Sequence, residues 1–340
     1  MKPFGIYTLA NDVVYDQLVA LLNSIEINVS PDIPICVIPY NDQLEKVSQE
    51  IKSRKNVTLF DNGESIQRWD NFAKEICAVH PAFKQGNSSS NTWNRTPLLR
   101  KLCAFDGEFD KFVFYDADSL AMKPIDSLFA KLDDYDFIFD DWEHKKSREK
   151  TALNLSIIEN SGLYKEQDIY PNLHCSSFFG SKKGVFLLPE VEFIKKSLVE
   201  NNEIKWLPES HFSDAFLLCY MTLRCERPLF NYTLSPNGQD RTGNCADADP
   251  FVNIDNVLYN QEGLKPIHRL HYMNYSSKDF ARLSQGEDVN IRYREEFLHY
   301  RFLKNPEQKP KELKSPSMVT KFNRVLHKII KKITPTALST

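Results

Sequence analysis

The chain has 340 residues, of which 41% are hydrophobic and 26% charged, and its formal net charge is −3. This length and composition are typical of a soluble globular protein with a sizeable core. The small net charge argues against the basic surface of a nucleic-acid-binding protein, and the lack of any run of eighteen apolar residues argues against a hydrophobic membrane span.

Predicted strands and helices alternate through the first half of the chain. Apolar runs predict strands over residues 4–9, 33–39, 57–60, 112–115 and 135–139. Helical spacing of apolar residues predicts a helix over 13–27, and Pro97 in a favoured first-turn position predicts another over 96–106. This alternation predicts βαβ units, and therefore an α/β fold with a central, mostly parallel mixed sheet flanked by helices.

The alternation weakens beyond residue 150, and the composition changes again near residue 303. Residues 303–317 are rich in proline and lysine and show no apolar period, which predicts a linker. We therefore expect one α/β domain over residues 1–302, the linker, and a separate C-terminal segment over residues 318–334.

The C-terminal segment differs in charge from the rest of the chain. Six basic residues and no acidic residue lie between Leu313 and Thr340, and the apolar residues of 318–334 fall at helical spacing. A basic amphipathic helix of this kind either lies on an anionic membrane surface or docks its apolar face on protein. The docking partner is then the domain itself or a second copy of the chain in a homodimer, and these alternatives stay open.

The cysteines and the first residues bear on the compartment. The seven cysteines are scattered and never spaced C-x-x-C, which favours a reducing compartment over a disulfide framework. Met1 leads into a predicted strand without a signal-peptide stretch. We therefore expect a cytoplasmic protein, associated with the inner face of the membrane if the C-terminal segment lies on lipid.

An acidic pair follows the fourth predicted strand, in the segment KFVFYDADSLAMKPIDSLF at residues 111–129. Ligands of parallel α/β sheets bind beyond the carboxyl ends of the strands, and Asp116 and Asp118 lie at such an end. Residues i and i+2 of an extended chain point to the same side, so both carboxylates can reach one Mn²⁺ or Mg²⁺ ion. In the alternative, Asp118 only caps the next helix. The same tripeptide at residues 247–249 follows no apolar strand and is interpreted as a loop.

This segment resembles the corresponding one of glycogenin and the family 8 retaining glycosyltransferases, in which a strand, D-x-D and I-D-x-L-F follow one another. LLRKLCAF at residues 98–105 is similar to the family's helix that carries a lysine or arginine toward the nucleotide sugar. YTLANDVVYDQLVALLNSI at residues 7–25 is similar to the family's uridine-binding strand, turn and helix.

The resemblance is continuous over residues 4–141 and patchy from there to residue 280. It implies a GT-A-type, Rossmann-like nucleotide-diphospho-sugar transferase fold, with a nucleotide half at residues 1–141 and an acceptor half at residues 142–302. It also implies a metal-dependent enzyme that moves a hexose from a UDP-sugar donor to a glycan or lipid-linked acceptor with retention of configuration.

The resemblance further implies a role for each matching residue. Those that would hold the nucleotide sugar are Thr8, Ala10, Asn11, Asp12, Tyr15, Lys101, Ala117, Ser177 and Lys278. The acids that would face the sugar are Asp140, Asp141 and Asp214. The ligands of Mn²⁺ or Mg²⁺ would be Asp116, Asp118 and His271. Arg100 is the alternative to Lys101, and His268 is the alternative to His271.

Two positions depart from the family's pattern. The glutamine that follows the family's second acid is Ala215 here, and the glycine after the metal-binding histidine is Asn274. The nucleotide and metal half of the predicted site is therefore intact, whereas the sugar half is altered. These changes leave the donor sugar, the acceptor and the stereochemical outcome open.

Two other functions compete with this interpretation. A protein that binds a nucleotide sugar without turning it over is one alternative, because Ala215 replaces a residue that the family uses at the sugar. A phosphatase of the haloacid dehalogenase type is the other, because it also ends a hydrophobic strand in D-x-D. Leu120 stands where that class has threonine or valine, which makes the phosphatase the weaker alternative.

Overall fold

The computed structural model of the protein describes residues 2–84, 96–236 and 238–316. Its strands are β1 Lys2–Ala10, β2 Ile35–Pro39, β3 Val57–Leu59, β4 Phe109–Asp116, β5 Ser119–Ala121, β6 Phe137–Phe139, β7 Phe178–Lys182, β8 Leu229–Asn231, β9 Phe251–Ile254, β10 Val257–Asn260 and β11 Arg269–His271. Its α-helices are α1 Tyr15–Asn28, α2 Glu45–Lys52, α3 Gly63–Val79, α4 Pro81–Lys84, α5 Asp126–Lys131, α6 Leu155–Asn160, α7 Glu166–Ile169, α8 Leu188–Val199, α9 Asp214–Cys225, α10 Ser277–Ser284 and α11 Arg294–Arg301.

Seven of the described strands form one sheet in the order β3-β2-β1-β4-β7-β6-β8. Only β7 runs antiparallel to its neighbours, so the sheet is mixed and mostly parallel, as predicted. The helix predicted over residues 96–106 forms as a 3-10 helix, Thr96–Asp106, rather than as an α-helix.

Side chains that alternate along β1 and β4 build the core on both faces of this sheet. Tyr7 and Phe112 point to the face that α3, α8, α9 and the 3-10 helix Thr96–Asp106 cover. Ile6 and Val113 point to the opposite face, which α1 and α5 cover. Because both faces are buried, the central strands are nearly continuous apolar runs, which is why they were predictable from the sequence.

A two-stranded ribbon joins the C-terminal part of the chain to the sheet. β5 pairs antiparallel with β11, and α10 and α11 pack beside α1. Asn23 of α1 donates a hydrogen bond to the carbonyl of Tyr300 in α11 at 2.7 Å, and Asn28 donates to the Tyr300 hydroxyl at 2.7 Å. These buried contacts connect residues about 270 positions apart and hold the ribbon at the carboxyl edge of the sheet.

Residues 303–316 contain a short 3-10 helix and then meet the domain at Lys314. The Lys314 backbone exchanges hydrogen bonds with Gly286 and Asp288 at 2.8 and 2.9 Å. The predicted amphipathic helix over 318–334 lies outside the described residues, and the division at residues 302 and 317 stays a prediction. No described helix combines the length and apolar composition that crossing a bilayer requires.

Candidate active site

Two aspartates leave the central sheet at the end of β4. Asp116 is the last residue of β4, and Asp118 directly precedes β5. The Asp116 N–H donates to the Ser177 carbonyl at 2.9 Å, and the Asp118 carbonyl accepts from the Tyr272 N–H at 3.0 Å. The backbone of the pair is therefore fixed from both sides, and both residues line a cavity at the carboxyl edge of the sheet.

The pairing of β5 with β11 places a histidine beside these aspartates. Ser119 lies opposite His271 in the antiparallel register, and His271 Nε2 is 3.4 Å from Asp118 Oδ1. One ligand atom from each of Asp116, Asp118 and His271 lies within 4.8 Å of the other two. Two carboxylates and one imidazole are donors that divalent metal ions accept, so these residues fit a divalent metal.

His268, the alternative ligand, lies elsewhere. Its side chain is fully buried, and its Nδ1 is 3.0 Å from Asp140 Oδ2. Burial lowers the pKa of His268, although the Asp140 carboxylate opposes the shift. The structure therefore brings His271, and not His268, to the aspartate pair.

The two aspartates differ in their electrostatics. Burial raises the pKa of Asp116; the nearby carboxylates of Asp118 and Asp214 act in the same direction, and Lys101 acts against them. Burial also acts to raise the pKa of Asp118, but the adjacent His271 lowers it below its usual value. The carboxylates of this cluster repel one another, and a bound cation would reduce that repulsion.

Lys101 lies beneath the aspartates with its ammonium fully enclosed. Its side chain is 1% exposed, and Nζ is 2.6 Å from Asp214 and 3.1 Å from Asp116. Nζ also donates to the carbonyl and hydroxyl oxygens of Ser176 at 3.2 and 3.1 Å. The paired carboxylates raise the pKa of Lys101 despite its burial. All three of its N–H donors are thus used inside the protein, between the predicted metal-binding acid Asp116 and the predicted sugar-facing acid Asp214.

Arg100, the alternative to Lys101, points away from this cluster. Its guanidinium makes two hydrogen bonds to the Asp70 carboxylate, at 2.9 and 2.7 Å. It also donates to the carbonyls of Pro39 and Tyr40 at the end of β2. Arg100 therefore braces the wall of the site rather than the acidic cluster.

Asp140 and Asp141 follow β6 at the same edge of the sheet. The Asp141 carboxylate accepts the backbone N–H groups of Glu143 at 2.9 Å and Cys175 at 2.6 Å. Burial raises the pKa of Asp141 to about 6, and these two hydrogen bonds only partly offset the shift. Asp140 is instead in contact with His268, whose Nδ1 is 3.0 Å from Asp140 Oδ2.

The cavity at this edge has a volume of about 890 Å³. Of the residues predicted to hold a nucleotide sugar or metal, it is lined by Ala10, Asn11, Asp116, Ala117, Asp118 and Lys278. The amide of Asn11 donates to Asn41 at 3.1 Å, and Lys278 lies in the first turn of α10, where cations are rarer than acids and anionic ligands are favoured.

Five predicted binding residues are placed outside the cavity lining, and Lys101, enclosed by Asp116, Asp214 and Ser176, is one of them. Thr8 is fully buried, and the Asp12 carboxylate accepts backbone N–H groups in the first turn of α2. The Tyr15 hydroxyl donates to Glu50 at 3.0 Å, and the Ser177 hydroxyl accepts from Arg269 at 3.0 Å. These side chains support the walls of the site, and their roles toward a ligand stay predictions.

Several lining residues were missed by the sequence reasoning, namely Gln17, Tyr40, Asn41, Gln43, Pro97, Leu98, Tyr275 and Ser277. Tyr40 and Asn41 directly follow β2, so the rule that located Asp116 at a strand end would have found them. Gln17 gave no such signal, because a polar residue inside a helical pattern is usually a solvated one.

No protein-family model matches the chain, and no curated protein matches its sequence. Among solved structures it is similar to the galactosyltransferase LgtC in complex with donor and acceptor sugar analogues, with a TM-score of 0.50, 13% sequence identity, and coverage of 87% of this chain and 95% of that one. Mouse xyloside xylosyltransferase 1 in its apo form has a TM-score of 0.49 at 9% identity, covering 67% of this chain and 84% of that one. The bifunctional glycosyltransferase WbbM has a TM-score of 0.48 at 11% identity, covering 91% and 52%. The chain therefore has a GT-A-type fold, which confirms the fold predicted from the sequence.

Proposed function

We propose that this protein is a metal-dependent glycosyltransferase that moves a hexose from a UDP-sugar to a glycan or lipid-linked acceptor. The observation that carries the proposal is the convergence of Asp116, Asp118 and His271 on one point at the rim of an 890 Å³ cavity. Ligands of such α/β folds bind beyond the carboxyl ends of parallel strands, and the position of Asp116 at the end of β4 supports the proposal. The family 8 resemblance supports retention of configuration.

The leaving group of a nucleotide sugar is a diphosphate, and its developing negative charge is the main obstacle to transfer. A divalent metal held by Asp116, Asp118 and His271 would supply Lewis-acid stabilisation of that charge. Lys278, exposed in the first turn of α10, and the N-terminal N–H groups of that helix offer further positive potential to the same diphosphate. The cavity residues at the ends of β1 and β2 would then contact the nucleoside.

The sugar-facing acids are held in position by the protein. Asp214, at the first position of α9, is anchored by Lys101 and by the Ser176 hydroxyl at 2.6 Å. Asp141 is anchored by two backbone N–H groups. An oxocarbenium-like centre is stabilised by nearby carboxylates, and we assign that role to these two acids from the family resemblance.

A second candidate function is a protein that binds the nucleotide sugar without transferring it. Ala215 supports this alternative, because it leaves α9 without an amide next to Asp214. A phosphatase function is less supported, because Leu120 stands where that class has threonine or valine.

The experiment that tests the proposal is a panel of nucleotide sugars screened for hydrolysis and transfer with Mn²⁺. We expect turnover of one or more UDP-sugars, and loss of both turnover and Mn²⁺-dependent UDP binding in Asp118→Asn. Asp133→Asn is the matched control, since this exposed carboxylate pairs with Lys111 near the start of β4, at the opposite end of that strand from Asp116. UDP binding without any hydrolysis would favour the binding protein, and unchanged UDP–Mn²⁺ affinity in Asp118→Asn would overturn the metal assignment.

The acceptor and partners are proposed from the C-terminal segment. A basic amphipathic segment over residues 318–334 supports an acceptor at an anionic membrane surface, in the cytoplasm. Flotation of the full chain and of a chain ending at residue 316 with anionic liposomes tests this, because only the full chain should float. Equal flotation of the two would overturn this role of the segment, and a shift from dimer to monomer on truncation would support docking on a second copy of the chain.

A further inference from the structure

The second Asp-Ala-Asp tripeptide, at residues 247–249, follows a segment that pairs with the strand carrying His271. This segment, residues 244–246, runs parallel to β11 and pairs with it at His271. The His271 N–H donates to the Asn244 carbonyl at 2.7 Å, and the His271 carbonyl accepts the Ala246 N–H at 3.0 Å. Both backbone hydrogen-bonding groups of His271 are therefore engaged by this segment, in addition to the pairing of β11 with β5.

The carboxylate of Asp249 fixes the start of this segment. Asp249 Oδ2 accepts the backbone N–H groups of Asn244 at 3.0 Å and of Cys245 at 3.1 Å. The Asn244 side chain is tied as well, since its amide donates to the Asp140 carbonyl at 2.7 Å. Because the Asn244 carbonyl receives the His271 N–H, only the backbone of one residue separates the Asp249 carboxylate from that of His271.

Gly243 leaves the space that this carboxylate occupies. A Cβ at position 243 would lie 2.6 Å from Asp249 Cγ and 2.7 Å from Asp249 Oδ2. These distances are well inside van der Waals contact, so the Asp249 side chain would have to move away from a larger residue. The contact between the carboxylate and the backbone of residues 244–245 therefore depends on two side-chain positions, and a change at either one can break it.

The predicted metal ligands come from two parts of the chain, and their relative position decides how well an ion is held. Asp116 and Asp118 flank the end of β4, whereas His271 comes from β11, with its Nε2 at 3.4 Å from Asp118 Oδ1. Groups that support metal ligands from outside contribute about ten- to hundredfold to metal affinity. A residue that fixes the His271 backbone should therefore affect the ion without touching it.

We propose that Asp249 is a positioning residue of the metal site, which holds residues 244–245 so that the His271 imidazole lies beside Asp118 at the ion. The inference rests on the proposed function, since it needs a divalent metal at Asp116, Asp118 and His271. It gives the second Asp-Ala-Asp tripeptide a role as a support of the metal site rather than as a second pair of ligands.

Titration calorimetry with Mn²⁺ on the full chain tests the proposal. We expect Asp249→Ala to weaken Mn²⁺ binding about tenfold, because the N–H groups of residues 244 and 245 lose their acceptor and no longer hold the backbone that pairs with His271. Asp249→Asn keeps an oxygen acceptor in a side chain of the same shape, and its affinity should stay within about threefold of the wild type. Gly243→Ala displaces the carboxylate without removing it, and should weaken binding as Asp249→Ala does.

A double-mutant cycle with His271→Ala separates positioning from a general loss of structure. In a chain that lacks the imidazole, Asp249→Ala should change Mn²⁺ affinity by about twofold or less, because its effect passes through His271. Asp106→Ala is the matched control, since this carboxylate also accepts hydrogen bonds from neighbouring side chains but precedes β4, at the opposite end of that strand from Asp116. The control should lower Tm and leave Mn²⁺ affinity unchanged.

Wild-type Mn²⁺ affinity in Asp249→Ala would overturn the inference and leave the proposed function standing. An equal loss of affinity with and without the His271 imidazole would also overturn it, because Asp249 would then act on the fold as a whole. The same holds for a loss in Asp249→Asn as large as that in Asp249→Ala, since the negative charge rather than the hydrogen-bond acceptor would then matter. A wild-type chain that binds Mn²⁺ neither alone nor with UDP would overturn both the inference and the proposed function.

Discussion

Replacing Lys101 by methionine should have opposite effects on stability and on metal affinity. The substitution keeps a similar side-chain length but removes an ammonium that is 1% exposed and lies 3.1 Å from Asp116 and 2.6 Å from Asp214. Losing one partner of a buried ion pair costs about 3–5 kcal/mol, since the remaining carboxylates are left unpaired. For a chain of this size, that corresponds to a fall in Tm of about 4–7 °C in the presence of a chelator.

Metal affinity should rise in the same variant. An ion bound through the free oxygen of Asp116 would lie roughly 5 Å from the Lys101 ammonium, given ordinary metal–oxygen distances. Even in a water-like dielectric, a doubly charged ion and an ammonium at that separation repel by about 1.7 kcal/mol. Removing the ammonium should therefore tighten Mn²⁺ binding about tenfold or more, and added Mn²⁺ should restore part of the lost Tm.

The assays are calorimetric titration with Mn²⁺ and thermal unfolding with and without the ion. Arg100→Met is the matched control, because Arg100 has a similarly placed ion pair with Asp70 that touches none of the metal-binding residues. We expect that control to lose stability without gaining metal affinity. Weaker or unchanged Mn²⁺ binding in Lys101→Met would refute the reasoning, and would indicate that Lys101 orients Asp116 for the ion more than it repels the ion.

Three further predictions concern separate parts of the molecule. His271→Asn should lower Mn²⁺ affinity about tenfold or more in calorimetry, whereas His268→Asn should lower Tm with little effect on that affinity. The transfer rate should fall as the pH drops through about 6, because burial raises the pKa of Asp141 to that value and the carboxylate becomes protonated below it. The measurement is a pH–rate profile, and the profile of Asp141→Asn should lack this inflection. Gly107→Ala should destabilise the fold by about 1–3 kcal/mol in urea unfolding, because the added Cβ overlaps with the Tyr7 side chain.

Local sequence signals located the acid pair at the end of a central strand. Asp116 and Asp118 follow a strand buried on both faces, and a continuous apolar run that ends in acids is visible without any tertiary information. His271 was within reach only through the family resemblance, because its position depends on the pairing of β5 with β11, about 150 residues apart. No local pattern encodes that pairing.

The side-chain network could not be predicted in this way. Nothing in LLRKLCAF distinguishes an arginine that pairs with Asp70 from a lysine that bridges Asp116 and Asp214. Those partners are set by the direction in which each residue leaves a 3-10 helix, whereas the sequence pattern predicted only a helix. The burial of Gln17 could not be predicted from the sequence for a similar reason, since it depends on the packing of α10 and the ribbon against α1.

The pairing of β5 with β11 makes the metal site a test of strand register. A slip of one residue would bring Leu270 or Tyr272 opposite Ser119 and turn the imidazole of His271 to the other face of the ribbon. Such a short ribbon has few hydrogen bonds of its own to resist that slip. A cation that binds only when His271 lies beside Asp118 would therefore stabilise the native register relative to the shifted ones. It would favour the correct pairing of the ribbon during folding, in addition to its role in catalysis.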